Sequence, residues 1–316
     1  MTLPADNADG TRANRIVRRL RSGTLRPRSF SVLRFTFTFP ARFTALDHPT
    51  KMTTTSCGPW TGRFVWHDLM TTDAAKSRAF YTGLFGWQLQ DVPMGPSTYG
   101  MIHCGPGPIG GIVEEKSIPF SHWMPYLAVE DVDESARKAI ALGGSVCVPP
   151  TDIPGTGRFA VVGDSTGACF SLYKGGAESH GADPNLAVPG RVCWQETYST
   201  DDVQAQAFYS GLAGWQGHAM DMGPAGLYRM QMLGDKQAGG IMKHPMPGMP
   251  SCWVVYFFVE DLAASTAKAK ELGATAMMEL VPIPNVGHFS MLTDPVGAMF
   301  ALFQAGSSLG TDCGKP

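Results

Sequence analysis

The chain has 316 residues, of which 44% are hydrophobic and 16% are charged, and it contains 37 glycines and 24 prolines. This length allows two domains of ordinary size, and the glycine and proline content favours short strands and turns over long helices. No apolar run reaches the roughly 18 residues that a membrane-spanning helix requires. The composition therefore predicts a soluble protein with no membrane partner.

The cysteines are odd in number and widely spaced, at positions 57, 104, 147, 169, 193, 252 and 313. No CxxC pair occurs, so the sequence predicts neither a zinc knuckle nor a redox dithiol of that type. Scattered cysteines at apolar positions are usually small core residues in a reducing compartment. We therefore expect a cytoplasmic location.

The N-terminal segment differs in charge from the rest of the chain. Residues 1–51 contain nine Arg, one Lys and three Asp, so the formal net charge is −2 for the whole chain and −9 without them. Residues 1–59 are predicted to be a disordered basic leader. Two interpretations stay open: an upstream extension ahead of a true start at Met52, or an organelle-targeting segment. A nucleic-acid arm is disfavoured because the acidic body would repel phosphate.

The sequence contains an internal duplication with an offset of about 128 residues. Gly62–Gln88 aligns without a gap on Gly190–Gln216, with 13 of 27 positions identical. Two downstream segments also correspond: Trp123–Asp131 to Trp253–Asp261, and Asp164–Leu172 to Asp294–Leu302. The repeat predicts domains at 60–175 and 190–306, a linker at 176–189 and a tail at 307–316.

Within the first copy, hydrophobic periodicity and turn residues predict two successive βαβββ units. The first unit has a strand at Phe64–Met70, then a helix that begins after Thr72 or Asp73 and ends near Phe85, with Ala79, Phe80 and Leu84 on one face. Its remaining strands are predicted near Trp87–Asp91, Tyr99–Cys104 and Ile109–Glu114. The second unit has a strand at Met124–Val129, a helix at Val132–Leu142, and strands at Val146–Val148, Phe159–Gly163 and Cys169–Tyr173. The chain is thus predicted to be α+β, with four such units.

Three repeated segments resemble hallmarks of the vicinal-oxygen-chelate superfamily, which includes glyoxalases, bleomycin-resistance proteins and extradiol dioxygenases. They are TTDAAKSRAFYTGLFGW with STDDVQAQAFYSGLAGW, VEDVDESARKAIALGG with VEDLAASTAKAKELGA, and DSTGACFSLY with DPVGAMFALF. The chain is most similar to the two-domain, glyoxalase-like proteins of actinobacteria. The resemblance implies two tandem domains with cupped mixed sheets, and a function that resides in each cup.

The resemblance also implies where a divalent metal would be held in metal-dependent members. These positions fall on Trp66, Met124 and Ser171 in the first copy, on Trp194, Val254 and Ala301 in the second, and in Gly110-Gly111 and Gly239-Gly240. None of these residues is a plausible ligand, so we expect no metal and no cofactor. His67 is adjacent, but strand alternation directs it away from the cup, towards the helix layer.

Strand alternation predicts which side chains face the cups. Each cup receives one acid, Asp68 or Glu196, which burial could turn into a usable general base. The predicted ligand-binding residues are mostly aromatic or Met: Trp66, Met70, Met124, Tyr126, Trp194, Tyr198, Tyr256 and Phe303. Such a lining is typical of a small-molecule site. The alternative is that these side chains only fill the cup as core, with the acid hydrogen-bonded to its neighbours.

Three functions remain open from the sequence. The first is a metal-independent lyase or isomerase that transfers protons through Asp68 or Glu196. The second is a non-catalytic binder that sequesters ligands, resembling the bleomycin-resistance branch. The third is a stress-related protein with vestigial cups. In each case the expected partner is a small organic ligand and not a nucleic acid, and the protein is expected to be a monomer or homodimer.

Overall fold

A computed structural model describes residues 60–95, 97–105, 107–175, 188–223, 226–246 and 248–306. The predicted leader up to residue 59, residues 176–187 of the predicted linker, and the predicted tail lie outside these ranges, so those assignments stay predictions. Within the described ranges, no helix is long and apolar enough to cross a membrane.

Each copy of the repeat forms one domain of eight strands and two helices. Domain 1 consists, in chain order, of β1 Phe64–Thr71, α1 Ala74–Phe85, β2 Gln88–Met94, β3 Ser97–Cys104, β4 Gly107–Glu114, β5 His122–Ala128, α2 Val132–Ala141, β6 Ser145–Ile153, β7 Gly157–Gly163 and β8 Cys169–Gly175. Domain 2 consists of β9 Val192–Ser199, α3 Asp202–Ala213, β10 Gln216–Asp221, β11 Leu227–Leu233, β12 Lys236–Lys243, β13 Cys252–Phe258, α4 Leu262–Glu271, β14 Thr275–Ile283, β15 Gly287–Thr293 and β16 Met299–Ala305.

The two sheets have the same strand order, and both confirm the predicted tandem βαβββ architecture. The order is β2-β3-β4-β1-β5-β8-β7-β6 in domain 1 and β10-β11-β12-β9-β13-β16-β15-β14 in domain 2. Strand β1 is parallel to β4 and antiparallel to β5, so it joins the two units of its domain. The two units that form each cup are therefore consecutive in the chain, a point that the sequence left open.

Helix α1 is defined by its ends and by a buried stripe. Asp73 is the N-cap and accepts a hydrogen bond from the Lys76 amide at 2.9 Å, while Gly86 ends the helix with a φ of 70°. The buried residues are Ser77, Phe80, Tyr81 and Leu84. The prediction that Ala79 belongs to this face is wrong, because Ala79 is exposed. The stripe follows helical spacing from position 77, which places Tyr81 inside and Ala79 outside.

The helix-facing side of each sheet packs in a hydrophobic core to which both domains contribute. One core joins α1 and the first unit of domain 1 to β13, β15 and β16 of domain 2, as in the edge-to-face contact of Phe80 with Phe300 at 5.9 Å between ring centroids. The other core joins α3 of domain 2 to β5, β7 and β8 of domain 1, where Phe208 meets Phe170 at 6.3 Å. Neither domain closes its own core.

Two tryptophans at equivalent positions of the repeat form hydrogen bonds between the domains. The Trp87 indole N–H donates to the Gly190 carbonyl at 2.9 Å, and the Trp215 indole N–H donates to the Gly62 carbonyl at 2.7 Å. Both tryptophans are at most 4% exposed. Each bond therefore links the end of one domain's first helix to the start of the other domain in a dry environment, where an unpaired polar group is costly.

We expect Trp87→Phe and Trp215→Phe each to lower the free energy of unfolding by about 1–3 kcal/mol, because each leaves a buried carbonyl without its donor. The two effects should be nearly additive in the double variant, since the sites are separate. Chemical denaturation would measure these changes. Phe120→Leu is the control, at a side chain that is 54% exposed, and it should have little effect. Equal stabilities for all the variants would contradict this account of the domain junction.

Candidate functional site

One buried carboxyl group organises the cup of domain 1. Asp68 lies in the middle of β1 and is 4% exposed. Its Oδ1 accepts from the Trp66 indole at 2.9 Å and from the Tyr99 hydroxyl at 2.7 Å, and its Oδ2 accepts from the Tyr126 hydroxyl at 2.7 Å. The structure therefore brings together three residues predicted for this cup, Trp66, Asp68 and Tyr126, and adds Tyr99.

Tyr99 reaches the acid because a glycine leaves room for it. Gly111 lies on β4 opposite Asp68 in the parallel register. A Cβ at Gly111 would overlap the Tyr99 hydroxyl oxygen. Sequence reasoning missed Tyr99, although a signal was present: both copies have a tyrosine on the third strand and a Gly-Gly pair on the fourth.

The cup of domain 2 repeats this arrangement with a longer acid. Glu196 is 5% exposed and pairs with Gly240 in the parallel register. Its Oε1 accepts from the Tyr256 hydroxyl at 2.6 Å, and the Trp194 indole donates to the Tyr228 hydroxyl at 2.8 Å. A Cβ at Gly240 would overlap the Tyr228 hydroxyl.

Burial dominates the electrostatics of both acids. Desolvation raises the pKa of Asp68, and hydrogen bonds from Tyr126, Tyr99 and Trp66 oppose the rise only in part. Desolvation likewise raises the pKa of Glu196, against hydrogen bonds from Tyr256, Tyr198 and others. The tyrosines around each acid have pKa values raised well above the ordinary value, first by desolvation and then by the nearby carboxylate. They therefore stay protonated and act as donors to the acid.

The other predicted residues lie in or beside these clusters. In domain 1, Met124 is buried and accepts a hydrogen bond on its sulfur from the Ser171 hydroxyl at 3.1 Å, and Met70 is buried on β1 opposite His122. In domain 2, Tyr198 and Tyr256 form one hydrophobic cluster with half-buried Phe303 and several methionines. Of the indoles, Trp66 and Trp194 are both half-buried, so each cup has solvent access at its tryptophan.

The residues present do not suit a divalent metal. Among the described residues no group of three His, Cys, Asp or Glu side chains is placed to hold one. In the first cup, Asp68 is surrounded by indole and phenol donors that occupy both of its oxygens. An ion bound there would have to displace these donors and would find indole and phenol groups, which are not the donors that Zn²⁺ or Fe²⁺ selects.

His67 points away from the cup, as strand alternation predicts. It is 4% exposed and lies within hydrogen-bonding reach of Gln195, the residue at the same position in domain 2. Its Nε2 has no hydrogen-bond partner among the described residues. Burial lowers the pKa of His67 to about 4, so the ring is neutral at pH 7. It belongs to the domain junction and not to either cup.

Comparison with known proteins places the chain in a family. Residues 63–172 match the model of the Glyoxalase/Bleomycin resistance protein/Dioxygenase superfamily. CFP32 of Mycobacterium tuberculosis, which carries the name of a glyoxylase, is 36% identical over 247 residues, covering 76% of this chain and 93% of that protein. The anthracycline biosynthesis protein DnrV of Streptomyces peucetius is 30% identical over 262 residues, covering 77% and 93%. The chain belongs to this superfamily.

Solved structures with low sequence identity share the fold. The 2,3-dioxygenase LapB from Pseudomonas sp. KL28 is 14% identical with a TM-score of 0.56, over 81% of this chain and 97% of that one. The 2,2',3-trihydroxybiphenyl 1,2-dioxygenase from Sphingomonas wittichii is 13% identical with a TM-score of 0.57, over 77% and 90%. At this identity the likeness supports the architecture alone.

The glycine opposite each acid offers a direct test of the clusters. Gly111→Ala forces Tyr99 away from Asp68, and we expect a loss of about 1–3 kcal/mol in the free energy of unfolding from overpacking. Gly240→Ala should do the same in the second cup. Gly107→Ala, on the same strand but with nothing near the added methyl, is the matched control. If all three variants have the same stability, the tyrosine does not occupy that space.

His67 should make stability depend on pH. Its folded pKa of about 4 lies below the unfolded value of about 6.5, so the unfolded state binds more protons between these values. The free energy of unfolding is therefore unaffected by this group above about pH 6.5. As the pH falls from there towards 4, the group lowers the free energy of unfolding by about 3 kcal/mol in total. His67→Gln should flatten the stability curve in this window, as measured by urea denaturation. Parallel curves for the two proteins would contradict the assignment.

Proposed function

We propose that the chain binds planar aromatic small molecules that carry phenol-type hydroxyls, one in each cup, without a tightly held metal. The observation that carries this proposal is the pair of tyrosine hydroxyls held by one buried carboxyl in the first cup. Its counterpart in the second cup has Glu196 with Tyr256 and Tyr228.

The hydrogen-bond directions define the ligand's polar group. Tyr99 and Tyr126 both give their protons to Asp68, and Tyr99 also accepts from the Trp66 indole. What remains on these phenol oxygens is acceptor capacity. A ligand that contacts these two phenol oxygens is therefore favoured if it offers a hydrogen-bond donor, such as a phenol hydroxyl.

The aromatic and methionine side chains of each cup would supply apolar contact with the ligand. Trp66 and Trp194 are half-buried, so each keeps some solvent exposure, and an aromatic ligand that stacks on an indole gains useful energy. The second cup adds partly buried methionines, Met242, Met278 and Met299, whose flexible thioethers adapt to different ring shapes. An apolar lining with few fixed polar groups is the usual form of a small-molecule site.

The relatives support a ligand of this kind. DnrV, with 30% identity, is named for the biosynthesis of anthracyclines, which are polycyclic aromatic molecules. We extend to this chain only the chemical class, a fused-ring phenol. Binding without a metal is part of the proposal, supported by the poor match between the cup residues and metal ligands.

A second function is favoured by one observation, the raised pKa of the buried acids. A carboxyl group with a pKa nearer neutrality is a better partner for proton transfer. In this hypothesis Asp68 or Glu196 takes a proton from a bound substrate, as a metal-independent lyase or isomerase requires. The glyoxylase name of CFP32 is compatible with such chemistry.

Binding is tested with 2,6-dihydroxyanthraquinone, whose two hydroxyls are free to donate. We expect it to quench indole fluorescence, and 2,6-dimethoxyanthraquinone, which has no donor, to bind at least tenfold more weakly, as expected for one lost hydrogen bond. Trp66→Ala should weaken binding in the first cup by about 2 kcal/mol, or roughly thirtyfold in Kd. Trp194→Ala tests the second cup.

The outcomes separate the hypotheses. Asp68→Asn keeps the shape of the side chain but removes its charge: lost turnover with binding retained would indicate a base, while lost binding alone would indicate a polar anchor. If no fused-ring phenol binds and Trp66→Ala lowers only stability, the cup is filled core and the proposal fails. Elemental analysis showing about one Zn, Ni, Fe or Mn per cup after dialysis against a weak chelator would overturn the metal-free part.

A further inference from the structure

A cavity of about 380 Å³ lies in domain 2 beside the start of α3, outside the cup. Arg229 and Lys243 line it, and each follows a residue of the cup face on its strand, Tyr228 or Met242, so strand alternation directs them to the opposite face. Leu227, Lys243 and two further lining residues are exposed, so the cavity is open to solvent. Its lining consists mainly of Asp202, Leu227, Arg229, Lys243, His244 and Pro245.

An ion pair fixes one cation of this cavity. The Arg229 Nε–H donates to Asp202 Oδ2 at 2.7 Å, and the side chains of Arg229 and Asp202 are 19% and 15% exposed. This is the least exposed of the ion pairs found in the described part of the chain. A guanidinium has five N–H donors in one plane, and only one of them is used by Asp202. The others are available to a second carboxylate in the same plane.

Lys243 gives the cavity a net positive charge. It forms no ion pair with any residue that the structure describes, whereas the charges of Arg229 and Asp202 cancel. His244 adds no charge, because burial lowers its pKa and the ring is neutral at pH 7. Its Nδ1 accepts from the Met246 amide at 3.1 Å, so the proton of the neutral ring is on Nε2. The lining therefore has a net charge of about +1 and suits a monoanion.

Domain 1 has a carboxylate of its own at the corresponding place. Glu114 and Lys243 end β4 and β12 and pair with equivalent residues of β1 and β9. Glu114 Oε1 accepts from the backbone N–H of Ala74, the first residue of α1, at 3.2 Å. Glu114 Oε2 lies 3.3 Å from the Lys116 ammonium. The fold thus accommodates a carboxylate here, and domain 2 has exchanged it for a cation.

The remaining walls of the cavity are apolar. Leu227 is 46% exposed, and Pro245 is exposed beside it in the lining. A volume of about 380 Å³ lies within the range of small-molecule sites, which are mostly apolar with a few polar groups that fix orientation. A ligand that pairs its anion with the two cations and covers these apolar side chains would match both parts of the lining.

We propose that this cavity binds small monocarboxylic acids with an apolar body, and that their carboxylate lies between Lys243 and Arg229. The site is separate from the cups and does not depend on their aromatic ligands. It adjoins the second cup through His244, whose ring lies 5.7 Å from that of Tyr198 between centroids. None of its lining residues belongs to the cluster around Glu196.

The probe is cyclohexanecarboxylate at pH 7, which has neither an aromatic ring nor a phenol and so is not a ligand of the kind proposed for the cups. Titration followed by two-dimensional NMR of the ¹⁵N-labelled protein measures Kd and places the site. We expect the amide signals of Leu227 and His244 to shift. Cyclohexanecarboxamide, which has the same shape without the charge, should bind at least tenfold more weakly.

Two variants test the cations. Lys243→Glu places a carboxylate where domain 1 has one, and it should weaken binding at least tenfold. Arg229→Lys keeps the charge but loses the planar fork, and should weaken binding about threefold or more. Lys236→Glu is the matched control, with the same change of charge at the other end of β12. It lies roughly 23 Å away, beyond the Debye length of about 10 Å at 0.1 M salt, and should leave Kd within about twofold.

Melting temperatures show whether Arg229→Lys, which alters a partly buried ion pair, keeps the fold, while Lys243→Glu changes an exposed side chain. No binding of the acid below about 10 mM, equal binding of the acid and the amide, or an unchanged Kd in Lys243→Glu would overturn the proposal. Equal weakening by Lys243→Glu and Lys236→Glu would also overturn it, since the effect would then come from net charge alone. Binding of 2,6-dihydroxyanthraquinone in the cups is measured separately and can fail without affecting this result.

Discussion

The structure depends on one constraint: neither domain can bury the helix-facing side of its sheet alone. The first unit of domain 1 shares a core with the second unit of domain 2, and the reverse holds for the other core. Hydrophobic burial is the dominant favourable term in folding, so the two domains are expected to form together. The cups occupy the opposite sheet faces and are therefore free to differ in side chains without weakening the junction. The difference between Asp68 and Glu196 is of this permitted kind.

Within each cup a carboxyl group takes the organising role. A buried carboxylate is costly unless it is hydrogen-bonded, and here the bonds come from side chains that would otherwise have their own buried polar atoms to satisfy. The hydroxyls of Tyr99 and Tyr126 donate to Asp68, so the same two hydrogen bonds satisfy the carboxyl oxygens and the hydroxyl groups. The result is a mutually supported set of aromatic side chains, in which the polar atom of each ring is hydrogen-bonded within the cluster.

The sequence predicted the architecture well because the signals were repeated and local. Helix caps, strand alternation and the internal duplication each point to the same four units, and the faces of Trp66, Asp68 and His67 follow directly from their positions on one strand. The sharing of cores between the domains was not predictable, because contacts between segments more than a hundred residues apart leave no periodic signal. Ala79 was misplaced and Tyr81 overlooked for a different, local reason: the buried stripe of the helix is spaced from Ser77, and the prediction did not include that small polar residue. Tyr99 was overlooked because its role depends on the space that Gly111 leaves for it. The signal, a tyrosine on the third strand with a Gly-Gly pair on the fourth, is divided between two strands and does not follow from the alternation of either strand alone.

The space that these glycines leave for a tyrosine also bears on how members of this superfamily diverge. Gly111 and Gly240 lie on the strand to which the family resemblance assigns one metal ligand. A carboxylate or imidazole at either position would need the volume that Tyr99 or Tyr228 now fills. A side chain at Gly111 or Gly240 and the tyrosine in its observed place therefore exclude each other, so a larger residue at the glycine requires the tyrosine to move or to be replaced. The glycine and the tyrosine on the preceding strand are therefore expected to change together among relatives.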